Sequence, residues 1–167
     1  EGRIELDAMM ELAELYIERG DRVAATAQLA GLEPFLTGPR FTLFRRAQLS
    51  YYRGCLARLD GKQDEARAQF AQAVEGFGST EAKIVMNVLA LIGLAEADLA
   101  LGENVEAKAS IERALSLAGS FVEPGSPSYL VGRCLVARGD AELLEGDVEA
   151  ARISFRSGSE QLGLTLG

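Results

Sequence analysis

Four glycines set the length scale of this chain. Gly20, Gly61, Gly102 and Gly146 lie 41, 41 and 44 residues apart, and each stands where one apolar pattern of helical period stops and another begins. The stretch from Leu89 to Leu117 shows it best. Before Gly102 apolar residues recur at Leu91, Leu94, Ala95 and Leu99, and after it at Ala107, Ile111, Ala114 and Leu117, the spacing of one helix face. A glycine between two such runs ends the first helix by adopting the left-handed conformation that costs other residues energy. Each unit is therefore expected to be a helical hairpin. Neither helix is apolar all round, so a hairpin cannot bury its stripe alone and needs like neighbours stacked on it.

The same offsets return around each glycine. Seven residues before it stands Ala13, Gly54, Ala95 or Gly139; five after it Ala25, Ala66, Ala107 or Ala151; nine after it Leu29, Phe70, Ile111 or Phe155. Small residues let two helix axes approach while a large one fills the groove beside them. The reading is an all-α chain of four hairpins, at about 5–36, 41–77, 80–118 and 128–162. Asp21 and Asp147 are placed to cap the second helices of their hairpins. Breaks are expected at Thr37, Gly38 and Pro39, at Gly78 with Ser79 as the next cap, and at FVEPGSPSY, where Ser126 and Pro127 read as a cap with proline at the first helical position. Gly158 and Gly163 weaken the last helix, and fraying is expected there.

The series Gly54, Gly61, Ala66, Phe70, Ala73 and the series Ala95, Gly102, Ala107, Ile111, Ala114 resemble the tetratricopeptide repeat family, and nearly the whole chain follows the pattern. The first unit departs from it, with Leu32 where alanine is usual. The usual repeat is 34 residues, so the longer period here adds about two helical turns to each hairpin. In this the chain resembles the long-helix repeats of bacterial maltose-activator-type transcription regulators, signalling ATPases and kinesin light chains. The histidine and proline signature of the kinesin type is missing, which favours the bacterial regulators. The resemblance implies a right-handed α-solenoid forming a single domain over 1–167.

It also implies a concave groove lined by the first helix of each hairpin, at thirteen, ten, six and three residues before each glycine. Carried over, these are Asp7, Met10, Glu14 and Ile17; Gln48, Tyr51, Cys55 and Arg58; Leu89, Ile92, Glu96 and Leu99; and Arg133, Val136, Asp140 and Leu143. Such a groove is apolar with a recurring carboxylate level at Glu14, Glu96 and Asp140. It suits a peptide or partner helix with apolar anchors and basic residues; the plainer alternative is that these carboxylates only face water. Family members that grip the carboxylate terminus of a chaperone use lysine, asparagine and arginine at these levels. Met10, Glu14, Tyr51 and Cys55 do not support that activity.

Composition narrows the chemistry. The chain has no histidine, which removes histidine bases and histidine metal ligands. Gly61, Lys62 and Gln63 are no phosphate loop, since Leu56 stands where the first glycine is needed and Gln63 where the hydroxyl is needed. Neither catalysis nor a cofactor or metal is expected. With 25 acidic and 17 basic residues the net charge is −8, which repels nucleic acid and anionic lipid. Charge is uneven: residues 1–37 carry −5 and residues 38–78 carry +3. Arg46 and Arg53 share a helix face, and pairing with carboxylates of the adjacent hairpin such as Glu11 and Glu18 is the expected outcome. Cys55 and Cys134 are expected as buried reduced thiols.

The opening EGRIELDAMMEL lacks the basic and then apolar pattern of a secretory signal, and no uninterrupted apolar run of 18 residues is present, so a cytoplasmic location is expected. The chain opens without Met and closes on LGLTLG, which suggests a piece of a longer polypeptide. The functional expectation is a protein interaction or effector-sensing module of a bacterial regulatory or signalling protein. A self-associating scaffold whose ends stack on further copies, and a small-molecule sensor, are the alternatives.

Overall fold

Eight α-helices, and no strand, make up the described residues of the computed structural model, which are 2–36, 43–78, 84–123 and 126–163. They are α1 (Gly2–Glu18), α2 (Arg22–Leu36), α3 (Leu43–Leu59), α4 (Gln63–Phe77), α5 (Ile84–Leu101), α6 (Asn104–Gly119), α7 (Tyr129–Leu144) and α8 (Val148–Gln161). The all-α reading holds. The chain divides into two compact units, Glu1–Ser79 and Thr80–Gly167.

The four glycines end α1, α3, α5 and α7 with one backbone device. Each has positive φ, at 69°, 73°, 82° and 85° in chain order. In each turn the glycine N–H donates three residues back, to Ile17, Arg58, Leu99 or Leu143. The following N–H donates five residues back, to Tyr16, Ala57, Asp98 or Glu142. This double bond pattern is a Schellman turn, which satisfies carbonyls that the helix end would otherwise leave open. Asp21 and Asp147 then cap α2 and α8, each accepting from the N–H three residues on at 3.0 Å. The starts of α4 and α6, at Lys62 and Glu103, have no side-chain cap.

In the first unit, α1 packs on α2, α2 on α3, α3 on α4, and α1 also touches α3. Its core joins Leu6, Met10 and Ala13 of α1 to Leu29 and Leu32 of α2 and Leu49 and Tyr52 of α3. Phe70 of α4 is fully buried. Its ring lies 5.9 Å from that of Tyr51 and covers Gly54 so closely that a Cβ there would sit 2.8 Å from ring carbons. The small residue before the turn and the large one after it thus meet, because the missing side chain makes room for the ring. A second close approach brings Gly76 of α4 against Ala47 of α3.

The second unit repeats the order: α5 with α6, α6 with α7, α7 with α8, and α5 with α7. Its interior is built mainly from Val88, Leu91, Ala95, Ala107, Ile111, Ala114, Cys134, Ala137 and Ala141. By length and composition α5 is apolar enough to cross a membrane, yet more than half of it is buried in the protein, as for a core helix. In the last hairpin Phe155 lies over Gly139, whose Cβ would come within 2.6 Å of the ring.

Two expectations change here. The cap of α7 is Ser128, not Ser126: its hydroxyl accepts from the Val131 N–H, and its own N–H donates to the Gln161 side chain of α8 at 2.9 Å. Ser126 and Pro127 precede the helix, because that tie to α8 sets where α7 starts. Nor does Gly158 break α8. It is buried, and a Cβ there would meet the Gly132 carbonyl oxygen and a Val136 methyl, both at 3.1 Å, so it is a point of close backbone packing between α7 and α8. The breaks expected at Thr37, Gly38 and Pro39 and the cap at Ser79 lie outside the described residues.

Candidate functional site

The candidate groove residues divide by row. Ten residues before the turn glycine, Met10 and Ile92 are each 1% exposed, whereas Tyr51 and Val136 are half-buried. Cys55, six before its glycine, is also buried. Met10, Cys55 and Ile92 are thus interior side chains, and the other thirteen reach solvent to some degree. Each of these three lies on the stripe of its helix that faces the interior, where neighbouring helices cover it.

In the first unit, the facing sides of α1 and α3 carry a polar network. The Arg45 guanidinium bonds the Asp7 carboxylate and donates to Gln48 Oε1 at 2.9 Å. Gln48 Nε2 donates to the Tyr52 hydroxyl at 3.3 Å, and that hydroxyl donates to Glu14 Oε2 at 3.0 Å. Burial, and then the negative charge of Glu14, push the Tyr52 phenol well above its ordinary pKa, so it stays a neutral donor. The candidate list from sequence omits Arg45 and Tyr52. Their spacing from Gln48, three before and four after, places the three on one helix stripe, and that stripe is the signal that could have found them.

In the second unit, Glu96 and Arg133 approach at 3.9 Å between α5 and α7. Leu89, Leu99, Val136, Glu96 and Arg133 are half-buried, while Asp140 and Leu143 are exposed. Partial burial raises the Asp140 carboxyl pKa above its usual range. The Cys134 thiol is pushed up to about 11 by burial, and neither cysteine is in a disulfide. At neutral pH Cys134 is a protonated, inert thiol.

Arg53 of α3 pairs with a carboxylate of the adjacent hairpin, as expected, but not with Glu11 or Glu18. Arg53 pairs with Glu33 of α2, and the partner of Asp7 is Arg45. Glu11 and Glu18 are exposed on α1 because α3 meets α2 with its Arg53 side. A cleft of about 250 Å³ beside this pair is lined by Thr26, Leu29, Glu33, Arg53, Asp60 and Lys62 among others. Arg22 and Lys62 both approach Asp60, so its charges are largely matched.

At the turn end of α7 and α8 lies a second concavity, of about 350 Å³, lined by Leu143, Val148, Ala151, Arg152, Phe155 and Arg156. Leu143, Leu144, Val148 and Ile153 around it are each at least half exposed. Among the described residues no three His, Cys, Asp or Glu side chains gather as a metal site. No family model matches the chain, and comparison with curated proteins gives no match.

Proposed function

We propose that the chain is a right-handed solenoid of the tetratricopeptide type that binds a peptide or partner helix along the face made by its first helices. One observation carries this reading. Within each unit the two first helices touch, and Glu14, Glu96 and Asp140, six residues before their glycines, all reach solvent. In the second unit, Glu96 and Asp140 at one helical level with the partly exposed Leu89, Leu99, Val136 and Leu143 suit a ligand with apolar anchors and lysine or arginine between them. Such binding is the mode of a regulatory or signalling module of the bacterial type that the sequence resembles.

The test is selection of binders from a library of helical and extended peptides, compared with the variant Glu96→Lys, Asp140→Lys. Glu14 is left alone because it holds the Tyr52 hydroxyl. The reading expects basic-apolar peptides to be enriched by the parent and their affinity to fall about tenfold or more in the variant, the scale for losing specific charge contacts. Enrichment of the same peptides by both proteins would sink it.

A further inference from the structure

The geometry points to a second docking site, on the outer face of α7 and α8, for a partner helix that carries two acidic residues seven positions apart. Each unit covers a second helix with the first helix of its next hairpin. In the second unit α7 lies on α6 and answers two of its charges: Glu145 pairs with Lys108, and Arg138 pairs with Glu112 at 2.6 Å. Arg138 and Glu145 are seven residues apart, two turns along one face. In the first unit α3 lies on α2 in the same order, with Arg53, the counterpart of Arg138, pairing with Glu33.

Carried forward by the 44 residues between Gly102 and Gly146, the α6 surface becomes the concavity of the last hairpin. Leu99, Ala107, Lys108, Ile111 and Glu112 correspond to Leu143, Ala151, Arg152, Phe155 and Arg156, five of the residues lining that hollow. The apolar floor is kept and the charges are not. Where α6 offers a lysine and a glutamate, α8 offers two arginines. Ile111 is 1% exposed under its neighbours, but Phe155 is only half-buried. Arg152 is held by Glu149 of its own helix, and Arg156 is exposed. A helix seated here as α7 sits on α6 would place an acid at the Arg138 position against Arg156 and a second at the Glu145 position against Arg152, with apolar residues between them.

A second copy of this chain fits poorly. Its α1 carries Leu12 at the Arg138 position and Arg19 at the Glu145 position, so Arg19 would meet Arg152 and nothing acidic would meet Arg156. In the register of the repeat the occupant is therefore a helix of a different sequence; Glu11 and Glu18 of α1, exposed and seven apart, would meet the two arginines only if a second copy entered one residue out of that register.

The probe is a labelled peptide of the Tyr129–Glu145 sequence carrying Arg138→Glu, held helical by a side-chain staple on its outer face, with binding followed by fluorescence anisotropy. The expected result is saturable binding, weakened about tenfold or more by Arg152→Glu with Arg156→Glu in the protein. A peptide with lysines at the two acidic positions should restore binding to that variant. Both substitutions are on exposed side chains, and circular dichroism checks that the helices persist. Absence of binding, or equal binding to the parent and the charge-reversed protein, overturns the proposal. So does sedimentation in which the protein alone associates with rising concentration and the charge-reversed variant does not, which would make a second copy the occupant. The first-helix carboxylates are untouched throughout, so the outcome is independent of the groove reading.

Discussion

The two units use one plan of helix contacts and fill it with different chemistry. The first has an aromatic interior, with Phe70, Tyr51 and Tyr52 in contact and Phe77 against Phe44, and joins α1 to α3 through the Arg45 and Tyr52 network. The second is interior alanine and aliphatic residues, and its α5 and α7 share the longer Glu96 to Arg133 approach. Equivalent positions therefore carry different energetic weight. Phe70 and Phe155 both cover a glycine, but Phe70 is sealed and Phe155 lines an open hollow.

Truncating both rings separates the two units most. Phe70→Ala removes a fully buried aromatic and is expected to cost about 3–5 kcal/mol, the usual range for such a cavity. Phe155→Ala should cost roughly half of that, because part of the ring already faces water. Hydrogen exchange of α4 and α8 amides reads the two effects separately. Equal losses would mean that the hollow beside Phe155 is closed in solution.

The glycines beneath the rings come next. Gly54→Ala forces a Cβ against a ring with nowhere to move, and a cost of about 1–3 kcal/mol is expected from overpacking. Gly139→Ala makes a nominally tighter contact, 2.6 Å against 2.8 Å, yet should cost less, since Phe155 can swing toward the hollow. Thermal unfolding of both variants ranks them, and the reverse order would count against the difference in openness.

Smaller again is the polar network. Arg45→Ala leaves Asp7 and Gln48 without their donor and is expected to cost about 1 kcal/mol, as for a half-buried ion pair with added hydrogen bonds. Arg133→Ala, losing a 3.9 Å approach to Glu96 and an exposed hydrogen bond to the Tyr129 hydroxyl, should change stability by a few tenths of a kcal/mol at most. Denaturant midpoints at low and high salt check both.

The smallest effect is a pH dependence. The Asp140 carboxyl pKa is raised in the folded protein by partial burial, so the folded state binds that proton more tightly than the unfolded chain. Its contribution is present below the unfolded pKa and lost as pH rises through the folded one. Asp140→Asn should therefore be slightly more stable than the parent at pH 7 and lose that advantage in acid. A variant equally stable at both pH values relative to the parent would mean that Asp140 is fully solvated.

What was legible from residues alone was local. The turn glycines, the Asp21 and Asp147 caps and the pairing of Gly54 with Phe70 and of Gly139 with Phe155 follow from the positive φ only glycine tolerates cheaply and from spacing along a helix. Such features need only a few residues on either side. Gly158 was misread because glycine weakens a helix in isolation, and only packing against Gly132 and Val136 turns that weakness into a close contact.

Which side chains reach solvent depends on tertiary structure. The family resemblance put Met10, Cys55 and Ile92 on a groove face by their register; contacts from neighbouring helices bury them. The same register missed Arg45 and Tyr52, whose roles exist only because α3 lies against α1. The residues alone placed the four glycine turns, since those depend on backbone conformations available to each residue, whereas the start of α7 was set by the tie from Ser128 to α8. Charge pairing, the arginine-lined hollow of α8 and the burial of each first-helix position depend on distances between residues far apart in the chain, which local periodicity does not contain.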